Sequence, residues 1–345
     1  MNTMFCLVSR QSMANVLPVF MFKPNNVVLF ATPEEKRSAD NLQKLFQSKS
    51  ISVKRIDGLN AYDFINFKKI VSEELYNSIG ETVLNITGGT KLMALAAYEA
   101  FAEKNKRIIY CDTEHQHIIT LLPEYKIEVL IAEITIKDYL LSYGYQIKET
   151  KDVSIVSKFY PLFDFILRDK LMGEFISFFQ KIRETHIEDY PKKNLDSFNK
   201  NFHISKNFDT YTFHFDPKNR KSFSLTSSQY KLGDWLEYYI YYTLKEKYKL
   251  NPLTGVKIVS AENVENEIDV LVLKDYKLYN YSCKSGKADN QYDLFQLETL
   301  RNITSGTFGK GIFITTKKGS KKFLERAKEL NIKIINISNN QEQLL

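Results

Sequence analysis

Val83-Leu84-Asn85-Ile86-Thr87-Gly88-Gly89-Thr90-Lys91-Leu92-Met93-Ala94 decides how the N-terminal half folds. Val83 to Ile86 is a short β-branched and apolar run that reads as a buried strand, and Lys91 to Glu103 has helical period. Two glycines in the turn between them let the backbone fold back tightly and expose its amides. The helix N-terminus adds free N–H groups and partial positive charge, Thr87 and Thr90 add hydroxyls, and Lys91 adds a full charge. Thr87, Gly88, Gly89, Thr90 and Lys91 together suit a phosphate. The spacing is neither GxxxxGK[ST] nor GxGxxG, which argues against a nucleoside triphosphate or a dinucleotide cofactor. A tight turn with glycine for geometry alone stays open beside the phosphate reading.

Working outward, Phe5–Val8, Val27–Ala31, Val53–Ile56 and Ile108–Cys111 are further strands. Met13–Phe20, Glu34–Gln47 and Phe67–Asn77 are helices between them. Such alternation specifies an α/β, Rossmann-like, doubly wound parallel sheet whose ligands sit outside the carboxyl ends of the strands. A hairpin with its second strand at His117–Leu122 closes the edge. Ser9-Arg10-Gln11-Ser12, leading to Asn15 and Pro18, stands at the carboxyl end of the first strand and faces the same crevice. Ser12 also reads as a plain helix cap. Thr32, ending the second strand, is a further candidate.

Length and composition bound the rest. A chain of 345 residues suggests two domains, each with its own core, and 24 Phe and 21 Tyr exclude a disordered chain. A net charge of +7 permits nucleic-acid or phosphate ligands without demanding them. Cys6, Cys111 and Cys283 are odd in number and far apart, as free thiols in a reducing compartment are. The first 22 residues carry Arg10 and lack a long apolar run, so neither a signal peptide nor a membrane span is expected and the protein reads as cytoplasmic.

The C-terminal pattern differs. A helix at Tyr230–Tyr248 precedes strands at Val256–Ala261, Glu267–Lys274 and Leu278–Lys284. Helix Asn290–Ile303, strand Gly311–Thr315, helix Ser320–Leu330 and strand Lys333–Ile337 follow. With Asp275 and Tyr276 as a two-residue hairpin loop, Asp269 falls opposite Ser282 and Glu267 opposite Lys284, all on one face. A carboxylate beside a lysine on adjacent strands suits phosphodiester hydrolysis, with Mg²⁺ or Mn²⁺ activating water. An ordinary cross-strand ion pair fits the same four residues. Glu237, on the helix ahead of the strands, is a further ligand candidate, giving Asp269, Glu237 and Glu267 as the metal set. Lys317, Lys318, Lys321 and Lys322 surround a helix start where they oppose the helix dipole, which fits either a bound nucleic-acid backbone or a solvated face.

Ser9-x-Gln11-x-x-x-Asn15-x-x-Pro18 and Ile86-Thr87-Gly88-Gly89-Thr90-Lys91-x-Met93-Ala94 resemble the CRISPR-associated Rossmann-fold (CARF) sensor domains. Gly233-x-Trp235-Leu236-Glu237, Asn266-Glu267-Ile268-Asp269-Val270 and Cys283-Lys284-Ser285-Gly286 resemble the restriction-endonuclease-like nuclease of type III CRISPR ancillary effectors. The resemblance implies a homodimer that binds a cyclic oligoadenylate, the tetra-adenylate foremost, and a divalent-metal endonuclease cutting DNA and/or RNA with little sequence preference. The expected domains are a sensor at 1–136, a helical then irregular connector at 137–228 and a nuclease at 229–345. One departure stands out: the family's Asp, then Glu-x-Lys, is met here by Ser282 two residues before Lys284. Two rivals follow, a sensor with a weak or inactive nuclease that sequesters or degrades its messenger, and a ligand-responsive transcriptional regulator.

Overall fold

The computed structural model describes residues 2–186, 195–286, 289–338 and 343–345. Its first sheet has strands β1 (Thr3–Leu7), β2 (Asn26–Phe30), β3 (Ser52–Ile56), β4 (Thr82–Asn85), β5 (Arg107–Asp112), β6 (His117–Leu122) and β7 (Lys126–Val129). Their spatial order is β3-β2-β1-β4-β5-β6-β7. The first five are mutually parallel and the last two antiparallel. Helices α1 (Met13–Phe22), α2 (Lys36–Ser48), α3 (Phe64–Tyr76) and α4 (Lys91–Ala102) connect the parallel strands. The strands run apolar and buried because both faces are covered, as a doubly wound sheet requires. Order reverses between β1 and β4, so their carboxyl ends, carrying Val8–Ser12 and Ile86–Thr90, flank the switch point where such sheets bind ligands.

Beyond α5 (Ile136–Ser142), strand β8 (Tyr145–Glu149) leaves the first sheet and pairs with β13 (Leu253–Ser260), more than a hundred residues on. The 137–228 segment thus supplies a strand to the C-terminal sheet. It holds three helices, α6 (Val153–Ser157), α7 (Tyr160–Arg168) and α8 (Met172–His186). The rest of it forms an antiparallel meander of β9 (Leu195–Phe198), β10 (Phe202–Asn207), β11 (Thr210–Phe215) and β12 (Lys221–Thr226); Pro191 to Asn194 lie outside the described residues. Its signal was the alternation of Phe202 and Ile204 with Tyr211, Phe213 and Phe215, all buried on one face. These rings pack with Phe159, Tyr230 and Trp235 in a large aromatic core.

The C-terminal sheet is β17-β16-β15-β14-β13-β8, with β14 (Glu265–Lys274), β15 (Lys277–Lys284), β16 (Lys310–Thr315) and β17 (Ile332–Asn336). Helix α9 (Trp235–Tyr242) packs on β13 to β15, α10 (Gln291–Ser305) leads into β16, and α11 (Lys321–Glu329) into β17. The helix expected over Tyr230–Tyr248 is shorter, and a single π turn at Thr243–Lys247 continues it. Each sheet has a core of its own, and a further core is shared between them. Val256, Leu271, Leu278 and Leu300 of the C-terminal half share one cluster with Val16, Leu17, Leu42 and Tyr139 of the N-terminal half. The Tyr276 hydroxyl donates to the Leu130 carbonyl at 3.0 Å and accepts from the Ala132 amide at 2.9 Å, pinning the β14–β15 turn to the first sheet's edge. Among the described residues no helix is long and apolar enough to cross a membrane.

Candidate functional sites: a phosphate cleft and a carboxylate-lysine cleft

At the switch point lies a cleft of about 550 Å³ lined by Ser9, Thr32, Gly89, Thr90 and Met93, together with Glu34, Glu35 and the loop Gly58–Tyr62. Thr90 has a double duty. Its hydroxyl oxygen accepts from the Met93 amide and caps α4, and the hydroxyl donates to the Ala61 carbonyl at 3.0 Å, tying the glycine turn to the 58–62 loop. Gly88 packs so closely on β1 that a Cβ there would stand 2.1 Å from the Leu7 carbonyl oxygen. Gly89 takes φ +71°, a left-handed conformation that favours glycine. Both glycines are therefore demanded by local geometry, whatever the turn binds.

Other residues singled out by the sequence do not line this cleft. The buried Ser12 hydroxyl donates to the Ser142 carbonyl at 2.8 Å and does not cap α1. Asn15 is fully buried, donating to the Leu7 carbonyl and accepting from Asn85 at 2.9 Å. Thr87 donates to Asn85 at 2.6 Å and accepts from the Cys111 amide at 2.7 Å. Asn15, Asn85 and Thr87 crosslink β1, β4 and β5 beneath the cleft, a job for small polar groups whose hydrogen bonds must all be met inside. Lys91 is exposed at the helix start, and Gln11 turns toward the other half of the molecule. Glu34 and Glu35 were not anticipated. Arg10 lies 3.5 Å from Glu35, and a hydrogen bond from Thr32 holds the exposed Glu34 carboxyl below its ordinary range.

Lys274 pairs with Lys277 across the Asp275-Tyr276 turn, whose two residues both have positive φ, the type I′ geometry that suits a two-residue hairpin. The pairing runs up to Val270 opposite Tyr281; just beyond it Ser282 hydrogen-bonds Asp269, and Glu267, Asp269, Ser282 and Lys284 all line a cleft of about 180 Å³. Helix α10 closes its other side with Asp293, Gln296, Leu297 and Leu300. The Cys283 amide donates to the Asp269 carboxylate at 2.6 Å, and Asp293 lies 3.8 Å from the Lys284 ammonium. Asp293 and Gln296 had no motif to reveal them, since helix spacing alone does not say which sheet edge a helix covers.

Glu237 and Asp269 feel one another. Burial first, then the Asp269, Asp234 and Glu267 charges, push the Glu237 carboxyl far up, with Lys151 opposing. Burial also raises Asp269, against the Cys283 amide, Lys284 and a hydrogen bond from Ser282. Two buried carboxyls held above their ordinary range mark a place short of positive charge. Hard oxygen donors of this kind suit Mg²⁺ or Mn²⁺. The donor set is lean: among the described residues no three His, Cys, Asp or Glu side chains form a ready cation cage. Ser282 contributes a hydroxyl where a carboxylate would complete one. The basic loop arrives at the same place by topology, because Thr315 at the end of β16 pairs with Lys284 and Thr316 donates to the Ser285 carbonyl at 3.0 Å. Lys318, Lys321 and Lys322 are exposed there, and Lys317 follows directly.

The fold and the two clefts define a class: a Rossmann-like sensor-type domain joined to an endonuclease-type α/β domain. Within that class the chain carries a Card1 CARF domain at residues 3–139 and a Card1-like endonuclease domain at residues 226–343. The structure is similar to Can2 from Sulfobacillus thermosulfidooxidans, solved in complex with cyclic tetra-adenylate (TM-score 0.75, 23% identity, covering 97% of this chain and 96% of that one). It is also similar to protein VC1899 from Vibrio cholerae (TM-score 0.76, 18% identity, 98% and 94% covered). A type III CRISPR defence DNA nuclease activated by cyclic oligoadenylate matches at TM-score 0.58 and 18% identity, over 91% of this chain and 45% of that one. Comparison with curated proteins returns no significant match.

Proposed function

We propose that the chain is a divalent-metal-dependent endonuclease switched by a cyclic oligoadenylate, with the tetra-adenylate bound by Can2 as the first activator to try. The observation that carries this reading is the cleft that brings Asp269, Glu267 and Lys284 together, with the Glu237 carboxyl close enough to feel the Asp269 charge and an exposed lysine loop beside it. Asp269 and Glu237 would hold Mg²⁺ or Mn²⁺, with Glu267 at the mouth. Bound there, the cation lowers the pKa of a water molecule and offsets phosphate charge. Lys284 sets its ammonium toward the extra charge that builds on the phosphoryl oxygens as the water attacks and the P–O bond breaks. Lys317, Lys318, Lys321 and Lys322 grip the sugar-phosphate backbone, which favours DNA or RNA cleavage with little sequence preference.

In the sensor, exposed backbone at Gly89 and the hydroxyls of Ser9, Thr32 and Thr90 would receive the ring. Tyr62, Ile65, Leu92 and Leu95 are exposed apolar residues around that cleft, which supports a homodimer closing over a symmetric ligand. Ser282 favours a second reading in which cation affinity is weak and the protein acts mainly by holding its messenger. A DNA-reading regulator has less support, since the C-terminal half is a strand pair with Asp269 and Lys284 facing one cleft rather than a recognition helix presented alone.

Incubating the protein with Mn²⁺ and, separately, single-stranded DNA, single-stranded RNA and supercoiled plasmid tests this. Cleavage lost on chelation and in Lys284→Ala is expected; tight activator binding with no cleavage of any substrate selects the messenger-holding reading.

A further inference from the structure

Gln11 belongs to the sensor's motif, yet its side chain lies against the far end of the nuclease helix α10. A Cβ built on Gly306, the residue capping α10, would stand 2.6 Å from the Gln11 Oε1 and 2.9 Å from its Nε2. Gly306 itself has φ +58° and ψ −145°, backbone that only glycine adopts without strain. Glycine is thus needed twice, for the turn and for room to seat the Gln11 amide. That amide is imperfectly housed: its Oε1 is buried with no hydrogen-bond partner among the described residues. A buried acceptor left unmet is costly, so an arrangement that gives it a donor competes well with this one.

The neighbours of Gln11 link it to both clefts. Ser9, two residues before it, lines the sensor cleft. Ser12, one residue after it, is held by the Ser142 carbonyl at the end of α5, a helix that packs on α10. At its other end α10 presents Asp293, Gln296 and Leu297 to the nuclease cleft. A helix of 15 residues is stiff, and its two ends lie against Gln11 and in the nuclease cleft.

Resting on the function proposed above, we propose that Gln11 is a positioning residue that couples the two clefts. Ligand bound against Ser9 and Thr90 shifts the 9–12 turn, the Gln11 amide moves against Gly306, and α10 resets Asp293 and Gln296 over the carboxylate-lysine site. The ligand biases the two arrangements only by its differential affinity for them, so removing the contact removes the bias and leaves both sites standing.

The test compares the full chain with Gln11→Ala, Gln11→Met and Gly306→Ala in two readings, using cyclic tetra-adenylate as the probe. The first is the ratio of cleavage rates with and without the probe, alongside probe affinity. The second is amide hydrogen exchange over Leu300–Gly306 before and after the probe, which needs no cleavage. Gln11→Ala should bind the probe within about threefold of the parent, lose at least about tenfold of the rate ratio, and lose the exchange change. Gly306→Ala, which displaces the same amide from the other side, should act in the same direction, and Gln11→Met decides the matter if the alanine variant is poorly folded. A parent that cuts nothing but shows the probe-dependent exchange change, lost in Gln11→Ala, sinks the nuclease reading and keeps the coupling. Absence of any exchange change in the parent overturns the coupling, as does a Gln11→Ala variant that keeps it. A variant that merely binds the probe more than about tenfold more weakly would make Gln11 a ligand contact instead.

Discussion

The two clefts are built from different parts of the polypeptide. In the sensor, the motif's side chains are largely spent on the scaffold: Asn15, Thr87 and Asn85 bond to one another or to backbone, and the cleft is left with glycine backbone, a few hydroxyls and the 58–62 loop. In the nuclease, the motif's side chains are the site, with Glu267, Asp269, Ser282 and Lys284 all facing the cleft. The physical reason lies in the chemistry proposed for each. Phosphate is met by N–H groups and a helix terminus, which any sequence carries once the turn is right. Holding a cation and steadying a transition state need carboxylates and an ammonium, which only side chains supply.

That contrast is open to attack at four places. The largest effect is expected from Asp269→Asn and Lys284→Ala, each lowering cleavage at least about 100-fold with activator affinity unchanged; a shared loss of both, followed by titration calorimetry and product gels, would break the separation of the two sites. Next comes Gly88→Ala. Its methyl group has the Leu7 carbonyl oxygen as its obstacle, so a loss of about 1–3 kcal/mol is expected from overpacking, with loss of activator binding. Thermal melting and calorimetry read this, and an unperturbed variant would show that β1 and the turn are less tightly fitted.

Ser282→Glu should sharpen the nuclease side by adding the missing carboxylate, raising Mn²⁺ affinity about tenfold, roughly 1.4 kcal/mol. Weaker metal binding in that variant would show that Glu237 and Glu267 already fill the coordination. The smallest effect is a pH dependence. Glu237 and Asp269 have raised pKa values, so the native state binds more protons than the unfolded chain above the ordinary carboxylate range of about 4. Metal-free stability therefore falls as pH rises from that range toward the raised values, and Mn²⁺ should raise the melting temperature more at pH 8 than at pH 5.5, both about. Equal gains at the two pH values would contradict the charge deficit.

Much of this was legible because the signals were local. The Asp275-Tyr276 turn fixed a register, and period two then placed Asp269, Ser282 and Lys284 on one face. The strand, two glycines and helix of residues 83–94 placed the sensor turn in the same way. What stayed hidden depends on distant contacts. Nothing in Tyr145–Glu149 says that it will pair with β13 rather than extend the sensor, and nothing in Asp293 says that α10 will lean over Lys284. Gln11 is the sharpest case, since its place in the motif pointed to the ligand and its contact with Gly306 depends on how the halves share a core.

The most direct test of the account is the single-turnover cleavage rate in Mn²⁺ as cyclic tetra-adenylate is titrated, with occupancy measured on the same samples. The account predicts a rate that climbs in step with sensor occupancy and then saturates, and that disappears in Lys284→Ala. A rate indifferent to occupancy, or one that survives Lys284→Ala, would contradict it.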